Sequence, residues 1–440
     1  MSNNPFGFVP TGGEGDEPSD PFAALFGGGG APDLGAAFSR LGEMLSQPSS
    51  GPVNWTLAHD AARAAVAQAG DSSVSAAQRR AVEEAVRLAE LWLDPVTALP
   101  AGTTGALAWS RAEWVEGTLA AWQTLIDPLA AQVVASGATA LPAEMREMAG
   151  PLMGMVSQLG GAMFGAQVGR GLAELAGEVV GSADVGLPLG PAGRAVLLPA
   201  NIEAFGQGLG LPADDVRLYL ALRECAHQRL FAHVPWLASR LGAAVEDYAR
   251  GVQVDTGRLQ ELMGSADMAN PAALQEAAQE AMESGLFAPQ DTPAQKAALA
   301  RLETLLALVE GWVDAVVTDA AVSLPSAVAL RETVRRTRAT GGPAEQTFAT
   351  LVGLELRPRR LRDAAALWAA LTTARGRDGR DAVWGHPDLL PTAEDLDDPS
   401  GFVDRGVLDL SALDTAGEAP REDDDPHEGP VGDAGSPTDG

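Results

Sequence analysis

The chain has one cysteine (Cys225), one lysine (Lys296), two tyrosines and five histidines in 440 residues. A single cysteine excludes an internal disulfide and suits a reducing compartment, so a cytoplasmic location is the expectation. Positive charge is also scarce: 30 basic residues face 59 acidic ones, for a formal net charge of -29. Such a field repels phosphates, which argues against nucleic acid and against an anionic membrane surface as partners. The N-terminus lacks a basic region followed by an apolar run, so no secretory signal is expected. No P-loop is present, and the glycines of 181–193 are not followed by the helix start that would make them a phosphate cradle. Alternating apolar and polar runs are nearly missing, which leaves little room for sheet.

What is present is a 46% hydrophobic chain, enough for a globular body. Residues 1–52 are rich in Gly, Pro, Ser and Asp, with Gly27 to Gly30 in a row, and bury too little apolar area to offset ordering. They are expected to be disordered, apart from a short helix at 34–47 with Phe38, Leu41 and Leu45 at helical spacing. From Pro391 to Gly440, fifteen acidic residues stand against two arginines, the composition of a solvated, disordered tail. Between these tails, residues 53–390 read as a mainly α body. Capping boxes at Ser75–Gln78, Ser110–Glu113 and Thr292–Gln295 mark helix starts, because hydroxyl and carboxyl or amide satisfy each other's backbone N–H groups. Trp92, Trp114, Trp122 and Trp312 fall at helical spacing with apolar neighbours and read as core. The best strand pattern, Ala195–Leu198, predicts one small sheet or hairpin around 182–200. Residues 151–180 are long and apolar but carry Gln158, Gln167, Arg170, Glu174 and Glu178, so a buried helix of the core is expected, not a membrane span. Its stripe Gly161, Gly165, Gly169 lets another backbone approach, within the chain or between two copies.

The residues with chemical potential cluster on one predicted helix. Pro212 and the acids Asp214 and Asp215 open it, and Pro235 stops it near His233. Within it runs Arg223-Glu224-Cys225-Ala226-His227. Zinc hydrolases use H-E-x-x-H because two imidazoles one turn apart grip one metal while the adjacent Glu serves as base for the bound water. Glu224 and His227 hold the second and fifth places. Arg223 holds the first, on the same helix face as His227, and a guanidinium has no lone pair to offer. Third-ligand spacings exist in His233, six residues after His227, and Glu246, nineteen after it, and they are mutually exclusive as metal geometries.

Four separated blocks carry a family resemblance: Arg223–Trp236, Gly341–Arg360, Gly186–Pro191 and His386–Pro391. In these the chain resembles an actinobacterial zincin-like family whose members are described as hydrolases or zinc-dependent metalloproteases, from Asn54 to about Asp398. The scarcity of lysine beside arginine, with abundant Ala and Gly, is what a high-GC genome of that kind writes. A related branch, linked to deazaflavin cofactor biosynthesis, keeps the full H-E-x-x-H and a later Leu-Glu-Gly segment. The matching stretch here is Leu308-Val309-Glu310-Gly311, with Asp314 one turn on. The resemblance implies a zincin-like metalloprotease fold, zinc as cofactor and a peptide as substrate class. Glu310 or His233 is then the candidate to complete the site with His227 as ligand and Glu224 as base.

Two readings follow. In the first the chain is a zinc hydrolase with a degenerate motif. In the second it is an inactive zincin scaffold that binds a peptide or partner protein, and Arg223 pairs with Glu310 or Glu246 in the space of the metal. Cys225 reads as a small buried residue, since its helix neighbours point elsewhere. The basic cluster Arg357 to Arg362 reads as a solvated helix start or an intramolecular partner for the acidic tail.

Overall fold

The computed structural model describes residues 51–139, 150–250, 292–342, 345, 346, 349, 356 and 358–405. Of the stretches expected to be disordered, 1–52 and 391–440, residues 1–50 and 406–440 lie outside the described residues, as does the helix expected at 34–47. The chain is mainly helical. In order it forms α1 (Trp55–Ala69), α2 (Ala76–Leu93), β1 (Gly105–Ala108), α3 (Arg111–Thr139), α4 (Gly150–Glu178) and β2 (Arg194–Leu197). Then follow α5 (Pro199–Gly206), α6 (Ala213–His233), α7 (Pro235–Arg250), α8 (Pro293–Ala320), α9 (Ala327–Thr340) and α10 (Leu361–Asp381). Two short helices, α11 (Ala393–Asp397) and α12 (Pro399–Arg405), close the described chain.

The helix starts obey the expected capping chemistry with one shortfall. Ser75 and Gln78 form a complete capping box, and Ser110 and Glu113 exchange the same pair of bonds. At Thr292 the hydroxyl accepts from Gln295 N, but the Gln295 amide makes no return bond and is buried without a partner. The core is continuous and holds Trp114, Trp122, Trp312 and Trp368, all fully buried, while Trp92 packs against it half-buried.

Of the small sheet or hairpin expected around 182–200, the structure forms the sheet. β2 sits where the strand pattern placed it, but its partner is β1, some ninety residues earlier, in parallel register from Gly105↔Arg194 to Ala108↔Leu197. A parallel pair needs a crossover, and α3 and α4 supply it. Gly-Ala-Leu-Ala in β1 has no β-branched residue, so nothing local announces it as a strand.

The glycine stripe packs within the chain. Gly161, Gly165 and Gly169 on α4 face Pro52, Asn54 and Ala58, and a Cβ at Gly165 or Gly169 would overlap the Asn54 or Ala58 carbonyl oxygen. Asn54 N also donates to Gly161 O at 3.0 Å, so α1 lies directly on the stripe. Among the described residues no helix is long and apolar enough to cross a membrane.

The folded chain also runs past the tail boundary placed at Pro391. Thr392 and Asp395 cap α11, Leu396 is buried, and Arg360 reaches Ala393 O at 2.6 Å and Asp397 Oδ1 at 2.5 Å. Acidic composition reads as solvated until an arginine from elsewhere in the chain meets it. Arg360 does so here, and Arg405 of the tail itself pairs with Asp395.

Candidate functional site

The helix α6 is the central element of the site. Asp214 and Asp215 sit in its first turn at the positive end of the dipole. From Leu218 to Leu230 every residue is buried, because α2, α5, α8, α9 and β2 all pack around it. A helix buried all round must satisfy each polar side chain from a neighbouring element. Three such side chains, Arg223, Glu224 and His227, are the ones the motif singles out.

Arg223, His227 and Glu310 are brought together. Glu310 projects from α8 and has no exposed surface. Arg223 Nη2 donates to Glu310 Oε2 at 2.6 Å, and His227 Nε2 meets Glu310 Oε1 at 2.9 Å. His227 Nδ1 lies 2.9 Å from the Arg223 carbonyl oxygen, one turn back. A carbonyl and a carboxylate only accept, so the two ring contacts together need both ring nitrogens protonated; a neutral ring makes one of them. A second guanidinium, Arg338 from α9, places Nη2 3.7 Å from Glu310 Oε1. Burial alone would push the Glu310 carboxyl up, but Arg338, Arg223 and His227 hold it far below the usual carboxylate range.

Glu224 is committed elsewhere. Its Oε1 accepts from Ser182 Oγ at 2.7 Å, Gln228 Nε2 at 3.1 Å and Val196 N at 3.3 Å. Its Oε2 accepts from Ala183 N at 3.1 Å. Gly181 makes the approach possible, since a Cβ there would stand 2.5 Å from Glu224 Oε2. Burial pushes the Glu224 carboxyl above its ordinary value despite these donors. The side chain therefore ties α6 to β2 and to the 181–183 turn. Replacing it with alanine strips four donors of their acceptor. A loss of about 2–4 kcal/mol is expected in urea denaturation, against about 1 for an exposed hydrogen bond. A Glu224→Ala protein as stable as the native one would show that these bonds do not brace the fold.

The other candidates lie apart. His233 is exposed at the end of α6, about 9 Å of helix rise from His227. Glu246 is exposed on α7, beside Asp247, which pairs with Arg250 and Arg301. Asp314 is buried one turn beyond Glu310 but is fully engaged by Arg331 and Arg335. Cys225 is buried, and burial pushes its thiol well up, which makes it inert. Sequence reasoning missed Arg338, Ser182 and Tyr219. Tyr219 stands one turn before Arg223, buried, with its hydroxyl unpartnered and its pKa pushed up to about 12, chiefly by burial. Its i−4 spacing from Arg223 was the available signal.

The residues present do not fit a catalytic zinc. Of the helix positions that would ligate, one carries a guanidinium, permanently charged and without a lone pair. His227 and Glu310 are two donors where three protein ligands are required. Both already contact Arg223 or Arg338, and Arg223 Nη1 fills space beside them without a partner of its own. No group of three or more His, Cys, Asp or Glu side chains suited to a metal occurs among the described residues. The cavity that Arg223, Glu224, His227 and Asp184 share is about 10 Å3, room for one water.

On the buried helix α6 the run Arg-Glu-x-x-His is faced by Glu310 from α8 and backed by the small sheet. The chain belongs to the zincin-like metallopeptidase family, whose model matches residues 53–403. Its fold is similar to that of a crystal structure described as "a putative hydrolase with a novel fold" from Chloroflexus aurantiacus. The TM-score is 0.57 at 22% identity, over 80% of this chain and 98% of that one. No curated protein sequence matches the chain.

Proposed function

We propose that this chain is a metal-independent member of its family, a zincin scaffold that binds a peptide or partner protein without zinc-dependent hydrolysis. The observation that carries this reading is the Arg223–Glu310–His227 cluster. The guanidinium occupies the first ligand position and is neutralised by the glutamate that would otherwise be the distal ligand. An ion pair of this kind, fully buried and hydrogen-bonded, is costly to open, so it does not yield readily to a metal. The base position is consistent with the same reading, because the Glu224 carboxylate braces β2 and the 181–183 turn.

For binding, the structure offers a recess of about 300 Å3 at the N-terminal end of α6. Val82, Ile202, Leu211 and Val216 form an apolar floor, and Gln78, Glu203, Gln207 and Arg217 form a polar rim. That combination suits an apolar side chain with its backbone amides held at the rim.

The test has two arms. Protein purified without chelator is expected to carry well under one zinc per chain by elemental analysis, and a chelator should leave its melting temperature unchanged. Selection of a random-peptide library on the native protein should enrich sequences that the exposed-rim variant Gln207→Trp, which fills the recess, no longer binds. Stoichiometric zinc in the native chain would return it to the zinc hydrolases. Enrichment unaffected by Gln207→Trp would remove the recess from the proposal.

A further inference from the structure

A bound zinc would bring two positive charges to this site, and the structure shows two guanidiniums there. We propose that Arg223 and Arg338 together stand in for the metal, so that the replacement is a pair of residues from α6 and α9 and not a single lost histidine. The inference rests on the metal-independent reading above and deepens it.

The geometry assigns each guanidinium a share of Glu310. Arg223 takes Oε2 at 2.6 Å, and Arg338 stands 3.7 Å from Oε1, the same oxygen that His227 Nε2 meets at 2.9 Å. Arg338 is 7% exposed, yet its Nε and Nη2 make no hydrogen bond. A buried arginine without directional bonds at those atoms is held there by charge. Glu310, Glu345 and Asp184 favour its charged form and Arg223 opposes it, so the two cations repel each other and share Glu310 as their anion. Neither guanidinium loses its proton at any ordinary pH, so the pair supplies a permanent positive charge, as a metal would.

This arrangement has a consequence that a single substitution does not. Restoring a ligand at position 223 leaves a buried positive charge within 4 Å of the Glu310 oxygen that a dication would need. At that range, in a partly desolvated site, one like charge is worth well over tenfold in affinity. Arg223→His alone should therefore gain little zinc, and zinc binding should emerge only when the charge at Arg338 is removed as well.

The experiment measures zinc affinity by competition with a chromophoric chelator, and melting temperature with and without zinc, on the full chain. Four proteins are compared: native, Arg223→His, Arg223→His/Arg338→Gln and Arg223→His/Arg338→Lys. The glutamine double variant is expected to bind zinc at least tenfold more tightly than Arg223→His and to melt higher when zinc is added. The lysine double variant keeps the charge and should stay with the single variant, a contrast that a packing role for Arg338 would not produce. Arg338→Met replaces the glutamine if circular dichroism shows that the latter does not fold. Equal zinc affinity of Arg223→His and the neutral double variant overturns the inference, as does equal affinity of the lysine and glutamine doubles. Those outcomes leave the metal-free reading of the native chain standing, whereas stoichiometric zinc in the native protein would end that reading itself.

Discussion

Replacing Glu310 with alanine is expected to lower the unfolding free energy by about 3–5 kcal/mol, the cost of leaving buried charges without their partner. Arg223, His227 and Arg338 all meet this one carboxylate, so its removal leaves two permanent cations buried against each other. Urea denaturation at neutral pH measures the effect, and a loss under about 1 kcal/mol would mean the cluster does not hold the helices together. The same carboxylate sets an acid dependence. An unfolded glutamate titrates near about 4.3, and Glu310 in the fold lies far below that. Its contribution is then complete above about pH 5 and falls as the pH drops toward the folded value, because the unfolded chain takes up the proton first. Asp314, held down by Arg331 and Arg335 against the effect of burial, acts in the same direction. Glu224 has the opposite sign: burial raises it, so its contribution is largest at acid pH and declines as the pH rises. Glu310→Gln should therefore lose less stability than the native protein between pH 7 and pH 3.5, measured as the shift in urea midpoint. Equal shifts would place the acid sensitivity elsewhere.

The second large effect is expected at Asp381, outside the site. Its Oδ2 accepts from Thr97 Oγ1 at 2.6 Å and Ala98 N at 2.7 Å, and its Oδ1 from Trp312 Nε1 at 2.8 Å and Arg380 Nε at 2.7 Å. Arg380 is fully buried, and its other carboxylate neighbour, Asp319, stands at 3.7 Å. Asp381→Ala leaves that guanidinium only Val96 O, Thr372 Oγ1 and the more distant Asp319, and leaves four donors short of an acceptor, which predicts a loss of about 3–5 kcal/mol. Asp381→Asn keeps one acceptor oxygen and should cost less. A melting curve in which the two variants coincide with the native protein would remove this knot from the account of the fold. Trp312 lies two residues from Glu310 on α8, so the knot also fixes the height at which Glu310 is presented to α6.

The site and the knot were unequally legible. Glu224, His227 and Arg223 stand on one short stretch, and helix periodicity alone places Arg223 on the face of His227. Glu310 was reached through the family resemblance of Leu308 to Gly311. Arg338 was not, because Arg331, Arg335, Arg336 and Arg338 look alike on α9, and only packing decides which of them meets Asp314 and which meets Glu310. Asp381 sits in a charged stretch, Arg375 to Asp381, that reads as solvated. Gly376, with φ 67, breaks α10 just before it and turns Arg380 and Asp381 into the core. β1 carried no strand pattern, since its pairing with β2 is a long-range event.

By itself the sequence determined the helical class, the central helix that carries Arg223, Glu224 and His227, and the main helix starts, all of which follow from local spacing and capping. Only the tertiary structure decided which carboxylate Arg223 meets. Glu246 and Glu310 were both open, and Glu246 proved exposed while Glu310 has no access to water. The reason is desolvation. A buried guanidinium must find a carboxylate within hydrogen-bond reach, and which one lies in reach depends on how α8 and α9 pack against α6, information no local pattern carries.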